Sequence, residues 1–321
     1  MTTLILMVLA GFVLLLAGGE AMVRGAVALG KWLDLSPLVV GIIIIGFATS
    51  LPEMVVSVQA VLQGVPGIAT GNILGSNIAN ILLVLGLTAL IRPMHHQPRA
   101  FRRDAAPLIL SALAFLGLGY AGIINAAEGA LLFGALLLMM AHEYRRAQRE
   151  TRLAREIAEE LEEEVQVHPL LARPPVAMLA VALGLGLLVW GGDLFVTGAS
   201  GIAEYFGVSH GLIGLTLVAL GTSSPELASS LVAARHGHSD VAYGNVVGSN
   251  LFNVLGVGGA AAMAGGLVVP HQMLVVDGLV MLAATVAMII IFASRNGLTR
   301  LLAALFTASY VAYIAARAGM G

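Results

Sequence analysis

Apolar residues fill the chain in ten long blocks, with cores at about 3–23, 36–62, 68–91, 105–122, 125–142, 175–199, 209–234, 241–265, 273–293 and 299–317. A helix needs about 20 mostly apolar residues to cross a bilayer, so each block predicts one spanning helix. Polar positions interrupt the pattern at two stretches that read almost alike. The first is Gly46-Phe47-Ala48-Thr49-Ser50-Leu51-Pro52-Glu53, followed by Gly71-Asn72-Ile73-Leu74-Gly75-Ser76-Asn77-Ile78-Ala79-Asn80. The second is Ala219-Leu220-Gly221-Thr222-Ser223-Ser224-Pro225-Glu226, followed by Gly244-Asn245-Val246-Val247-Gly248-Ser249-Asn250-Leu251-Phe252-Asn253. One offset of 173 positions carries Glu53 onto Glu226 and Asn80 onto Asn253, and the same offset pairs Gly18-Gly19-Glu20 with Gly191-Gly192-Asp193 and Asp104 with Asp277. The chain is an internal duplication.

The offset maps the first five blocks onto the last five. Five is odd, so the second half enters the membrane in the opposite sense, as in secondary transporters built from inverted repeats. The predicted fold is therefore an all-α integral membrane protein of ten transmembrane helices, two inverted five-helix repeats with broken helices at the midplane. The repeats are assigned to 1–141 and 174–321, joined by a charged linker over 142–173. Basic residues sort by side as cytoplasmic connections require: with the N-terminus outside, only Arg317 of the 16 Lys and Arg residues falls on the outer face. Both termini are then outside and the linker cytoplasmic, in a prokaryotic plasma membrane.

Composition agrees with the pattern. Hydrophobic residues make up 59% of the chain and charged ones 11%, with a mean hydropathy of +0.95, far from the soluble average of about 25% charged. The absence of cysteine removes disulfides, thiolate metal sites and cysteine nucleophiles. The opening apolar run has no basic residue before Arg24 and is read as a first span rather than a cleaved leader. In the linker a basic run ending at Arg155 gives way to Glu156, Glu159, Glu160 and Glu162–Glu164, the composition of a solvated helix.

Pro52 and Pro225 cannot donate a backbone hydrogen bond, and their rings crowd the carbonyls of Ala48 and Gly221. Each helix is expected to break or kink there, leaving carbonyl oxygens that suit Na⁺ or Ca²⁺. Thr49, Glu53 and Ser57 share one helix face, and Thr222, Glu226 and Ser230 repeat it. Asn72, Ser76 and Asn80 make a third oxygen-bearing stripe, and Asn245, Ser249 and Asn253 a fourth. A pseudo-two-fold axis brings all four together. Two carboxylates, hydroxyls, amides and carbonyls, with no imidazole or thiolate, suit a hard cation such as Ca²⁺. An intramembrane glutamate is a functional residue by default. Glu20, Asp193, Asp104 and Asp277 are expected near helix ends as caps or dipole partners. His95-His96 and His236-x-His238 are expected in solvated loops, since no third ligand accompanies them. A channel could use the same oxygens, whereas a hydrolase lacks a histidine within a span to activate Ser50 or Ser223.

These two motifs resemble the alpha-repeats of the calcium/cation antiporter superfamily, and over essentially the whole chain the sequence is similar to compact prokaryotic sodium/calcium exchangers. The resemblance implies that two long helices, about 3–32 and 175–205, slide across a core of the other eight. It implies that Glu53 and Glu226 ligate Ca²⁺ and share Na⁺, that Thr49, Ser50, Thr222, Ser223, Ser76 and Ser249 supply Na⁺ oxygens, and that carbonyls near Ala48 and Gly221 contribute. Many relatives carry an aspartate where Asn253 stands, so the amides Asn80 and Asn253 leave a doubly charged centre and weaken a case for K⁺. Proton-coupled relatives place a glutamate where Gly75 and Gly248 stand. The expected function is Na⁺/Ca²⁺ antiport by alternating access, not enzymatic, with Ca²⁺ and Na⁺ as transported ions and no cofactor. H⁺ coupling is the alternative. Lipid is the expected surrounding, nucleic acid is not a partner, and the monomer is the expected working unit.

Overall fold

A computed structural model describes residues 1–94, 98–157, 171, 173–206, 219–294 and 297–320. Its helices, in chain order, are α1 Thr2–Trp32, α2 Pro37–Leu62, α3 Pro66–Ile91, α4 Pro98–Gly119, α5 Ala126–Ile157, α6 Pro174–Tyr205, α7 Ala219–Thr222, α8 Ser224–Arg235, α9 Ser239–Gly265, α10 His271–Ala293 and α11 Arg300–Met320. Eight of these, all but α4, α7 and α8, are long and apolar enough to cross a membrane, and α4 holds a shorter apolar stretch, Asp104–Gly119. The first part of the block expected at 209–234, His95-His96 and the acidic run 159–164 lie outside the described residues. The linker's first part is helical, because α5 runs without a break to Ile157.

The expected interruption at the two prolines appears in one half only. α7 stops at Thr222, Ser223 leaves helical geometry at ψ 6°, and α8 begins with Pro225 in its first turn, where a missing N–H loses no hydrogen bond. In the first half the α-helical stretch Gly46–Leu62 runs straight through Pro52, and the irregularity sits upstream as wide π-helical turns over Val40–Ile45. A single lost bond does not break a helix enclosed by protein on several sides. Further π-turns begin at Asn80 and enclose Asn253, equivalent points in the two repeats. Such turns recur at functional sites because they re-aim side chains.

Three acids expected near helix ends as caps or dipole partners lie elsewhere, and one of them, Asp193, is well inside α6, which continues to Tyr205. α1 continues to Trp32, so Glu20 lies inside it, where Oε1 accepts from Arg24 at 2.5 Å and Oε2 meets His236 Nε2 of the α8 end at 2.7 Å. Asp277 bonds across to α11 rather than to its own helix terminus. The halves are also tied through their connections, since Ile123–Ile124 pairs antiparallel with Leu267–Val268 and Met94 bridges to Leu298.

α1 and α6 pack antiparallel along a seam of glycines that recur every seven residues, Gly11, Gly18 and Gly25 on one and Gly184, Gly191 and Gly198 on the other, again 173 positions apart. A Cβ at Gly18 would stand 2.8 Å from the Gly184 oxygen, and one at Gly191 would stand 2.9 Å from the Leu15 nitrogen. Small residues let helix backbones approach this closely, which substitutes for a hydrophobic drive that lipid does not supply. Gly19 meanwhile faces Ala228 and Val232 of α8, and Gly192 faces Ser224. Each Gly-Gly pair thus turns one residue to the partner helix and the next to the core. Gly18→Val should overpack the seam and destabilise the purified protein by about 1–3 kcal/mol, read as a lower melting midpoint in detergent. An unchanged midpoint would mean the seam yields freely.

Candidate cation-binding site

The two glutamates sit where α2, α3, α8 and α9 meet. Glu53 is 1% exposed and Glu226 0%. None of their four oxygens accepts a hydrogen bond, and the Ser50 and Ser223 hydroxyls and both polar atoms of the Asn80 and Asn253 amides are likewise buried without a partner. The orphaned groups fall at equivalent positions of the repeats. Buried polar atoms are ordinarily satisfied, and a buried carboxylate without a donor is costly. A desolvated cation meets that need: two carboxylates balance one divalent charge, and the oxygens available match the coordination Ca²⁺ takes.

The amides one turn away hold the frame. Asn72 Nδ2 donates to the Glu53 carbonyl at 3.3 Å and to Ser57 Oγ at 3.0 Å. Its repeat partner does the same, with Asn245 Nδ2 donating to the Glu226 carbonyl at 3.2 Å and to Ser230 Oγ at 2.8 Å. Both bind glutamate main chain and leave the carboxylate free. Asn245 reaches Ser229 Oγ as well, at 3.1 Å. Ser57 and Ser230 therefore support the frame rather than the ion.

Thr49 joins the halves. Its hydroxyl lies 3.1 Å from the Ile45 carbonyl, 3.3 Å from Asn245 Oδ1 and 3.2 Å from Ser249 Oγ. Ser249 Oγ also reaches the Gly46 carbonyl at 3.4 Å. Ser76 Oγ donates to Asn72 Oδ1 at 3.5 Å. Thr222 stands with Asn72, Gly71 and Gly75 in the wall of a cleft of about 280 Å³. Ala48 is buried beside these groups. The Gly221 carbonyl, freed by Pro225, accepts the Ser224 hydroxyl at 2.7 Å; Leu51 in the equivalent position cannot do this for Ala48.

Close backbone packing fixes the second half of the frame on the first. A Cβ at Gly244 would stand 2.4 Å from the Leu38 oxygen, and one at Gly248 2.4 Å from the Ile42 oxygen. Asn250 was not a sequence candidate, yet both its amide atoms are buried without a partner, whereas its counterpart Asn77 donates to the Ile73 carbonyl at 2.7 Å. Its place in the repeated Gly-Ser-Asn was the available signal.

The sodium/calcium exchanger protein family matches residues 3–144 and 176–319. CaxA of Alkalimonas amylolytica is 38% identical over 305 residues, covering 92% of this chain and 91% of its own. The sodium/calcium exchanger MaX1 of Methanosarcina acetivorans is 27% identical over 96% of this chain and 97% of its own. Among solved structures, the sodium-calcium exchanger NCX_Mj superposes with a TM-score of 0.81 at 28% identity, covering 98% of this chain and 99% of its own.

If the carboxylates are charged and unpartnered, Glu53→Gln combined with Glu226→Gln should stabilise the protein in buffer whose only cation is choline, by on the order of 3 kcal/mol. The measurement is the thermal midpoint. A midpoint equal to or below the parent's would mean that the charges are neutralised from within.

Proposed function

The chain belongs to the sodium/calcium exchanger protein family, and from that premise we propose that it is a Na⁺/Ca²⁺ antiporter in which the two ions compete for one carboxylate centre by alternating access. The observation that carries this reading is the paired set of orphaned oxygens on Ser50, Glu53 and Asn80 and on Ser223, Glu226 and Asn253. All are hard oxygen donors, which suit both ions.

In this reading Glu53 and Glu226 ligate Ca²⁺ and are shared by Na⁺. Thr49, Ser50, Ser76, Thr222, Ser223 and Ser249 add Na⁺ oxygens, and the Ala48 and Gly221 carbonyls complete the shell with Asn80 and Asn253. Exchange is obligatory because the empty centre keeps two negative charges in a low-dielectric setting, which resists crossing between its two faces. The glycine seam favours α1 and α6 moving together against the core. The proposed topology is ten spans in two inverted repeats, with both termini outside a prokaryotic plasma membrane, and a monomer as the working unit. The bacterial and archaeal relatives are consistent with that location.

Two measurements test the proposal. In proteoliposomes with pH clamped on both sides, an imposed Na⁺ gradient alone should drive Ca²⁺ flux; flux that follows a pH gradient and ignores Na⁺ would replace Na⁺ by H⁺ as the coupling ion. By calorimetry, Glu53→Gln or Glu226→Gln alone should abolish measurable Ca²⁺ binding, a loss of at least about 100-fold given that a buried charge-assisted contact is removed. Near-parental affinity in both variants would remove the site assignment.

A further inference from the structure

Arg317 is the one basic residue placed on the outer face by the charge pattern, so its presence there calls for a local cause. Asp277 of α10 provides one. Arg317 Nε lies 3.0 Å from Asp277 Oδ1, and Tyr313, one turn earlier on α11, donates its hydroxyl to the same oxygen at 2.8 Å. No described residue hydrogen-bonds to the second oxygen, Oδ2. Both side chains are largely enclosed, with Asp277 at 8% and Arg317 at 17% exposure. The pair lines the same cleft of about 280 Å³ whose wall holds Asn72, Gly71, Gly75 and Thr222. A carboxylate with one unpaired oxygen therefore shares one cleft with an amide that holds the Glu53 backbone and with a hydroxyl one turn before Glu226.

We propose that Asp277 is the first ligand a cation meets on its way to the Glu53–Glu226 centre from this face, and that Arg317 is a tethered cation it must displace. This rests on the exchange reading above. In the resting cleft the guanidinium neutralises Asp277 and lowers the cost of holding a carboxylate there. An arriving Na⁺ or Ca²⁺ binds Oδ2, competes for Oδ1, and passes along the cleft to the oxygens beside Asn72 and Thr222. A carboxylate in a narrow low-dielectric cleft raises the local concentration of cations, and a fixed positive charge opposes that. Asp277 and Arg317 are specificity and access residues, outside the central ligand set.

An ion pair that only stabilises the fold would give both single variants the same direction of change. The access role gives opposite directions. In right-side-out and inside-out membrane vesicles, Asp277→Asn should raise the Ca²⁺ KM about 10-fold at the face where the cleft opens, with kcat and the opposite face unchanged. Arg317→Gln should lower that same KM, and the double variant should behave as Asp277→Asn. KM values that move in the same direction, shift at both faces or do not move overturn the proposal. Absence of Na⁺-driven Ca²⁺ flux in the parent protein would instead overturn the exchange reading, so the two failures are distinguishable.

Discussion

Two carboxylates enclosed by protein, with no donor from that protein, set the terms for the rest of the molecule. Each added carboxylate oxygen in an apolar interior needs a proton, a water or a cation, and the residues around Glu53 and Glu226 supply none of the donors that would satisfy them internally. The neighbouring asparagines could have done so. Instead Asn72 and Asn245 bind the glutamate main chain, which holds the backbone in place and leaves the carboxylates free for whatever enters. Any ion that binds the folded site and not the unfolded chain would raise the stability of the fold.

The helices around the site answer a second demand, that backbone irregularity be kept away from lipid. π-turns at Asn80 and around Asn253, and the gap between α7 and α8, all fall where neighbouring helices enclose them. Gly244 and Gly248 bring α9 against α2 at backbone distance, so that Thr49 and Ser249, from opposite halves, can share one hydrogen-bonding cluster. The glycine seam between α1 and α6 serves a different purpose, since it joins two helices that are only slightly embedded in the core to each other.

Much of this was legible in the residues themselves because a duplication displays itself as register. The shared offset identified Glu53 with Glu226, Ser50 with Ser223 and Asn80 with Asn253, and these are the groups found orphaned and buried. The hydrophobic ruler found the helices because lipid sets their length. Contacts between helices carry no such mark. Neither the bond from Glu20 to His236 nor that from Asp277 to Tyr313 can be read locally, and an acid near an apolar block looks like a cap until the partner helix is placed. The different fates of Pro52 and Pro225, in local sequence that differs at Leu51 and Ser224, show side-chain bonding and tertiary packing together deciding where a helix yields. The seven-residue glycine spacing was visible in the sequence but is meaningful only once α1 and α6 are seen to run side by side.

The asparagine frame has a consequence for how one ion is told from another. Because Asn72 and Asn245 fix the glutamates through main-chain carbonyls, the spacing of helices sets how far each carboxylate must reach toward a bound ion. In the exchange proposed above, that reach would favour the larger ion. Ca²⁺ accepts irregular shells of oxygens at about 2.3–2.6 Å, whereas Mg²⁺ demands a tighter octahedron at about 2.0–2.1 Å and sheds water reluctantly. A frame that resists contraction would leave the smaller ion under-coordinated, so in the exchange proposed above discrimination between the two would come from the spacing of four helices rather than from any residue that recognises either metal.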